Sequence, residues 1–343
     1  MTAHISKPVV VLPANKVTTE EILADVRERH SNHPRLNAIT RVITGCGVSE
    51  RYFSRPFADV VGTTGIEKRN RFAFADAVEM AVDAARRALE TTGLRADQVD
   101  GLVTSHTTSF AAPNLDVRLV EELGLRPDVA RVPITVLGCA GGGQALVRAT
   151  DLVRSRPGGR ILVVVSEALS TVYHRDEDTI ESMIYKALFG DSAGACVVTG
   201  EQRENGFTIE ETLEFLLPDS SDRYWGEFDA AGLHFKSTKK AVAAAGDALP
   251  GVLGWLGDRR PSFGVIHPGG PHIIAQAAAA LGLRQEDARH SFDSLRENGN
   301  LGGNAVLDVL RRTHEAPPAT GAEGLIVAFG PGFAVACARG TWR

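Results

Sequence analysis

Short apolar runs alternate with helix-forming segments along the chain, and this alternation constrains the fold more than any other feature. Residues 161–165 read Ile-Leu-Val-Val-Val, a continuous apolar run of strand length, and a helical pattern over residues 140–154 precedes it. A strand that is apolar on both faces must be covered on both faces, as in sheets with helices packed against them. The alternation therefore predicts an α/β protein in which strands pair in parallel between covering helices.

The same order of elements occurs twice. In the first half we predict helices at 18–30, 72–92, 115–123 and 140–154, and strands at 99–105, 134–137, 160–166 and 192–199. In the second half we predict helices at 239–256, 273–281 and 304–312, and strands at 263–267, 324–329 and 333–339. This repeat indicates an internal duplication, with two helix-covered sheets stacked back to back. We place the halves at residues 1–215 and 216–343, sharing one core because no low-complexity linker separates them.

Composition excludes several classes of function. The 343 residues carry a net charge of −5, which is unlike a general nucleic-acid binder with a basic face. No apolar stretch approaches the roughly 20 residues that cross a bilayer, and the run Val9–Leu12 is too short for a signal peptide. We therefore expect a cytoplasmic protein that binds neither nucleic acid nor membrane. Gly141–Gly143 follow a strand but lack the spacing of a nucleotide-binding loop, and no metal or flavin site is predicted.

One of the four cysteines, Cys139, stands between glycines where a strand ends and a helix begins. Free N–H groups at a helix start carry partial positive charge, which favours a thiolate over a thiol and suits a nucleophile. Two later segments also contain candidate catalytic residues: His267 precedes Pro-Gly-Gly-Pro after an apolar strand, and Asn300 lies in Asn-Gly-Asn. On local evidence alone, a turn residue is the better interpretation of Asn300. A satisfied histidine is the usual interpretation of a lone histidine, although His267 follows a strand at the edge where sites form in α/β sheets.

Seven segments, taken in their order and spacing, resemble the type III polyketide synthases, the chalcone-synthase-like branch of the thiolase superfamily, and its bacterial members in particular. The match runs from about Leu12 to Trp342. It implies a thiolase-like fold, with two duplicated helix-covered mixed sheets in a layered α/β/α/β/α core. The segments are residues 137–142, 164–167, 187–191, 232–235, 267–271, 299–301 and 329–333.

The resemblance implies a role for each of the three candidates. Cys139 would carry the acyl starter and the growing chain as a thioester, and His267 would stabilise its thiolate. His267 and Asn300 would each donate a hydrogen bond to a thioester carbonyl. Decarboxylation of a malonyl-CoA-type extender places negative charge on that oxygen, so two fixed donors lower the barrier. The implied reaction is decarboxylative Claisen condensation onto an acyl-CoA starter, followed by cyclisation, with CoA esters as substrates and no cofactor.

The resemblance also implies a gate and a cavity wall. Phe189 and Phe235 match the two gatekeeper phenylalanines, whose apolar faces exclude water and favour loss of CO₂. In relatives a methionine that reaches across the dimer stands where this chain has Ala112, and a small residue often stands where it has Tyr185. The wall is more apolar than in plant enzymes, which favours a short pyrone or phenolic product of triketide or tetraketide length. The wall residues are Thr107, Ala112, Leu169, Val172 and Tyr185.

CoA phosphates need basic partners. The resemblance places some of them in the stretch that holds Arg51, Arg55, Lys68 and Arg69, and Arg51 is our first choice. After the His-Pro-Gly-Gly-Pro motif, relatives usually have Lys or Arg, but this chain has His272, which makes a phosphate contact there weaker or dependent on pH. Relatives are homodimers, so we expect a homodimer.

Two other functions stay open on the sequence alone. A ketoacyl-ACP synthase III shares the fold and a Cys-His-Asn set, but performs one condensation and hands the chain to a carrier protein. A non-catalytic thiolase-fold partner subunit would only bind and shape another chain, and such subunits usually lose the cysteine that this sequence retains.

Overall fold

The computed structural model describes residues 2–201 and 205–343. The α-helices of these residues are α1 (Thr19–Arg29), α2 (Leu36–Gly45), α3 (Phe57–Gly62), α4 (Ile66–Thr92), α5 (Leu115–Leu123), α6 (Gly141–Ser155), α7 (Ile180–Leu188), α8 (Ala241–Leu256), α9 (Pro271–Ala280), α10 (Arg289–Asn298) and α11 (Ala305–Glu315). The strands are β1 (Ala3–Ile5), β2 (Val9–Val11), β3 (Asn15–Thr18), β4 (Glu50–Phe53), β5 (Gly101–His106), β6 (Ala130–Thr135), β7 (Arg160–Glu167), β8 (Ser192–Thr199), β9 (Phe207–Leu216), β10 (Tyr224–Asp229), β11 (Gly232–Ser237), β12 (Phe263–Ile266), β13 (Glu323–Gly330) and β14 (Ala334–Trp342).

Local sequence signals set several of these boundaries. Thr18 caps α1 and forms a capping box with Glu21, so two free N–H groups at the helix start are satisfied. Gly93 ends α4 in the left-handed conformation, where a residue without Cβ is not strained. The helix predicted at 115–123 and the strand predicted at 192–199 are confirmed to the residue. The prediction missed α2, α3, α7, α10 and several strands, among them the hairpin β10–β11.

The α/β prediction is confirmed, and a mixed sheet forms its centre. Ten strands form one sheet with the order β12-β13-β14-β9-β1-β8-β7-β5-β6, and β2 pairs with β8 beside this path. The expected parallel pairing holds for β5 with β6, β5 with β7 and β12 with β13. The two predicted sheets are joined, because β1 pairs antiparallel with both β8 and β9. The boundary predicted between residues 215 and 216 falls inside β9 and stays a prediction.

Helices α6 and α11 lie between the two halves of the sheet. One buried cluster contains Leu146 of α6 and Val306 of α11 together with Val163 of the first half and Ile326 of the second. The outer faces are covered by α4 on the first half and by helices such as α8 on the second. This arrangement has five layers, helix, sheet, helix, sheet and helix, and it places the start of α6 in the middle of the molecule. Among the described residues, no helix is both long and apolar enough to cross a membrane.

Candidate active site

Cys139 lies in a tight turn between β6 and α6. Val136 and Gly138 both have positive φ, 54° and 52°, and a short 3₁₀ turn over Gly138–Ala140 leads into the helix. The N–H of Gly138 donates to Thr107 Oγ1 at 2.9 Å, which fixes the turn to the end of β5. A β-branched residue such as Val136 rarely adopts positive φ, and such strain often marks functional sites. The turn directs Cys139 inward, where it is only 7% exposed.

Asn300 is brought into contact with this cysteine by a close approach of two backbones. A Cβ on Gly142 would lie 1.9 Å from the carbonyl oxygen of Gly303, so only glycine allows α6 to start this near the 302–304 turn. Asn300 Nδ2 then lies 3.6 Å from Cys139 Sγ. Its Oδ1 accepts the N–H of Gly302 at 2.9 Å, which orients the amide so that Nδ2 is available as a donor.

His267 follows β12 and is 2% exposed. Its backbone N–H donates to the carbonyl of Val327 at 2.8 Å, which ties it to β13. The end of β13 packs against the cysteine turn, since a Cβ on Gly330 would lie 2.6 Å from Ala140 Cβ. His267 Nδ1 has no hydrogen-bond partner among residues 2–201 and 205–343. The structure thus joins Cys139 to Asn300 directly and brings His267 to the same end of the sheet, without a described bond between its ring and the sulfur.

Burial dominates the electrostatics of this site. It raises the pKa of the Cys139 thiol to about 12, although the Asn300 hydrogen bond acts in the opposite direction. It also lowers the pKa of the His267 imidazole to about 3. Desolvation therefore opposes the thiolate that the helix N–H groups were expected to favour, and a resting thiolate at Cys139 stays a prediction.

Glu167, at the end of β7, is a site residue that the sequence analysis did not predict. Its carboxyl is buried, and Oε2 accepts the N–H of Thr107 at 3.0 Å, while Oε1 has no partner among the described residues. Burial raises its pKa to about 8, so the group is mostly a neutral acid near pH 7. The sequence did contain a signal for Glu167, an acidic residue at the end of an apolar strand. Buried carboxyl groups are rare and often belong to functional sites.

A small cavity lies beside the sulfur. The predicted wall residues Thr107 and Leu169 and the predicted gatekeepers Phe189 and Phe235 all line it. The complete lining is Thr107, Gly138, Cys139, Glu167, Leu169, Phe189, Phe235 and Gly302.

Four aromatic rings, which we call the aromatic cluster, pack at this cavity: Tyr185, Phe189, Tyr224 and Phe235. Phe189 and Phe235 have centroids 5.6 Å apart, and Tyr185 stacks on Phe189 at 5.6 Å. Tyr224 stacks on Phe235 at 5.7 Å and was missed by the sequence analysis, because its hairpin was not predicted. Burial raises the pKa of the Tyr224 hydroxyl well above its usual range, so it stays protonated.

Three predicted wall residues are absent from the lining, and one of them, Tyr185, packs behind the Phe189 ring. Val172 is buried in the same hydrophobic cluster as Phe189 and Phe235, but it does not line the described cavity. Ala112 is exposed on the loop after β5 and is also absent from the lining. A wall made by one chain therefore includes none of the three, and a role for Ala112 toward a second chain stays a prediction.

Arg51, our first choice for the CoA phosphates, is a wrong prediction. It is 0% exposed, and its guanidinium donates to Thr19 Oγ1 at 3.0 Å and to the carbonyl of Ala187. Its Cβ packs behind the site, 3.2 Å from a Cβ built on Gly190. Burial lowers the pKa of this guanidinium to about 10. The basic stretch looked exposed in sequence, but β4 runs through the interior and carries Arg51 with it.

The other predicted CoA contacts have different surroundings. Arg55 forms two hydrogen bonds with Asp76, at 2.8 and 2.7 Å, and lies over the Phe72 ring, so its charge is already paired. Arg69 is buried and donates to the carbonyl of Thr171 at 2.6 Å. Lys68 is exposed. His272 is exposed in the first turn of α9, and its contact with CoA stays a prediction.

Comparison with known proteins identifies relatives over both halves of the chain. Residues 17–202 match the family model "Chalcone and stilbene synthases, N-terminal domain", and residues 208–338 match the corresponding C-terminal domain. The chain is 31% identical to the 1,3,6,8-tetrahydroxynaphthalene synthase of Streptomyces griseus, covering 99% of this chain and 93% of that protein. It is also 31% identical to the phloroglucinol synthase of Pseudomonas fluorescens, covering 98% of each.

Solved structures agree with this result. The structure of 1,3,6,8-tetrahydroxynaphthalene synthase from Streptomyces coelicolor superposes with a TM-score of 0.95 at 31% identity, covering 99% of each chain. Germicidin synthase from Streptomyces coelicolor, a type III polyketide synthase, superposes with a TM-score of 0.95 at 30% identity over all of both chains.

The bond between Thr107 and the cysteine turn yields a first prediction. Thr107→Val leaves the buried N–H of Gly138 without an acceptor, which should destabilise the protein by about 1–3 kcal/mol. Thr107→Ser keeps the hydroxyl and should stay close to the wild type. The measurement is the free energy of unfolding by denaturant for all three proteins. Equal stability of the valine variant and the wild type would show that the bond does not hold the turn.

Proposed function

Because the chain belongs to the chalcone and stilbene synthase family, the type III polyketide synthases, we propose that it condenses malonyl-CoA-type extenders onto an acyl-CoA starter held on Cys139. The observation that carries this proposal is the 3.6 Å contact between Cys139 Sγ and the Asn300 amide in a buried cavity. Phe189 and Phe235 at the same cavity supply the apolar surface that the reaction needs.

The first step is transfer of the starter to the sulfur. The Cys139 proton passes to His267, and the resulting thiolate and imidazolium compensate each other's charge where neither is favoured alone. The thiolate attacks the carbonyl carbon of the acyl-CoA, and the C–S bond to CoA breaks. The departing CoA thiolate takes the proton from His267, which returns the imidazole to its neutral form.

Extension follows from loss of CO₂. The malonyl carboxylate leaves as CO₂, and its electron pair forms an enolate whose charge lies on the thioester oxygen. Donors from Asn300 and His267 stabilise that oxygen, and loss of one such donor typically costs roughly 10²–10³ in rate. The enolate carbon then attacks the Cys139 thioester, the C–S bond breaks, and the chain is longer by two carbons on the incoming CoA. The phenylalanines exclude water, which would otherwise protonate the enolate.

The lining of the cavity supports a short product. Phe189, Phe235 and Leu169 make its wall largely apolar. Such a wall accepts an acyl starter and offers few polar groups to direct an aromatic cyclisation. We propose a pyrone or phenolic product of triketide or tetraketide length. The cytoplasmic location expected from the sequence stays a prediction.

The proposed reaction is tested with a panel of acyl-CoA starters and malonyl-CoA, without a carrier protein. We expect products with more than one extension, and an acyl adduct on Cys139 in intact-protein mass spectra. Cys139→Ala should abolish both, while Cys46→Ala, at a buried cysteine outside the cavity, should retain both. Products formed by the Cys139→Ala protein, or a single condensation that needs a carrier protein, would overturn the proposal.

Glu167 should give the reaction an alkaline limit. Its pKa of about 8 means that it is neutral at pH 7 and gains a negative charge beside the sulfur as the pH rises above that value. A second negative charge opposes thiolate and enolate, so the condensation rate should fall by roughly tenfold above about pH 8. Glu167→Gln should lack this fall. The measurement is the initial rate between about pH 6 and pH 9.5, and an identical fall in both proteins would contradict the assignment.

We further propose that the enzyme is a homodimer formed around β6. This strand is at one edge of the sheet, and Val136 and Phe110 near its end are 64% and 79% exposed. Exposed apolar residues beside an open strand edge favour pairing with a second chain. Phe110→Glu should shift the mass in solution from dimer to monomer, measured by light scattering. Val242→Glu, at a similarly exposed residue on α8, should leave the mass in solution unchanged. A monomeric mass for the wild-type protein would contradict the proposal.

A further inference from the structure

His234 on β11 is held between two carboxylates. Its Nδ1 lies 2.6 Å from Glu177 Oε1, and its Nε2 lies 2.8 Å from Asp229 Oδ1. The residue is buried at 7% exposure, with one ring face stacked on His174 at a centroid distance of 3.9 Å. We call His234, Glu177 and Asp229 the histidine clamp.

The geometry requires a positive charge on His234. A neutral imidazole has only one N–H. Its other nitrogen would then place a lone pair against a lone pair of the carboxylate oxygen, which is repulsive. Only the imidazolium donates to both carboxylates. His174 does not supply a competing charge, because burial lowers its pKa to about 4 and its Nε2–H donates to the carbonyl of Leu233 at 2.7 Å. The pKa of Asp229 is lowered by the N–H of Ala231 and by His234.

The other cations around the clamp have hydrogen-bond or ion-pair partners of their own. Glu227 on β10 and Lys236 on β11 bind each other. Arg69 of α4 lies beside Gly232 and donates to the carbonyls of Thr171 and Tyr173. Lys186 of α7 donates to the carbonyls of Arg175 and Glu177, at 3.0 and 2.6 Å. Among the described groups at the clamp, His234 is therefore the cation that faces both carboxylates directly.

The clamp joins two walls of the active-site cavity. Glu177 belongs to the segment after Leu169, which lines the cavity, whereas Asp229 and His234 belong to the hairpin β10–β11. That hairpin carries Tyr224 and Phe235 of the aromatic cluster. Neighbouring side chains of a strand point to opposite faces, so Phe235 faces the cavity while His234 faces the clamp. The hairpin is a two-stranded sheet of its own, and such sheets need packing or bonds from outside to be stable.

We propose that His234 is a positioning residue that holds the hairpin against the segment 174–177 and thereby sets the space that Phe235, with Tyr224 stacked on it, leaves for the growing chain. This proposal rests on the proposed polyketide synthase function. Without His234 the hairpin loses its link to Glu177, so Phe235 moves outward and the cavity admits longer chains. The number of extensions is therefore set in part by a residue that does not touch substrate.

The test compares the ratio of longer to shorter products, by mass spectrometry, for wild type and His234→Gln. Glutamine cannot carry the charge, so at about pH 6 its ratio should favour the longer product by roughly tenfold over wild type, the factor that one charge-assisted hydrogen bond supports.

Two further variants keep the test decisive. Glu177→Gln replaces the carboxylate that faces His234 Nδ1 with a neutral amide, so its product ratio should shift in the same direction as that of His234→Gln. This variant also serves if His234→Gln does not fold. His290→Gln, at a histidine remote from the hairpin, should match wild type. Equal ratios of longer to shorter products in wild type and the clamp variants, with Cys139 still acylated, would overturn the proposal. An absent acyl adduct on Cys139 would instead overturn the proposed function.

Discussion

The close approach of two helix starts, one from each half of the chain, is the contact on which the site depends. Gly142 at the start of α6 meets the backbone of Gly303, and no side chain fits between them. This contact fixes the distance from the Cys139 turn to the turn that carries Asn300. It also fixes α6 against both halves of the sheet. The geometry of the site and the central packing of the molecule therefore depend on the same contact.

The same contact excludes water, and exclusion of water controls the chemistry. Cys139, His267 and Glu167 each favour the neutral form, because the cavity does not solvate a charge. A proton moved from sulfur to imidazole therefore creates two charges that need each other, and an oxyanion formed there gains more from the Asn300 amide than it would in water. In the proposed mechanism, reactivity comes from preorganised partners.

Much of the fold could be predicted from the sequence, since apolar runs and glycines report local structure directly. Cys139 was recognisable for the same reason, and the family matches decide against the two alternatives that the sequence left open. Arg51 was predicted wrongly because its burial comes from contacts with distant residues. Tyr224, Glu167 and His234 were missed because their roles depend on how a hairpin and a strand end pack, which no local pattern of residue types contains.

The gate and the oxyanion donor differ in how freely they can change. Phe189 and Asn300 form an isolated β-bridge, and the N–H of Asn300 donates to the carbonyl of Leu188 at 2.7 Å. A substitution that reshapes the cavity at Phe189 therefore disturbs the proposed oxyanion donor, Asn300, through shared backbone bonds. Phe235 sits on a separate hairpin without that link. Evolution can alter the product spectrum at low catalytic cost through the hairpin, and we expect natural diversity among such enzymes to concentrate there.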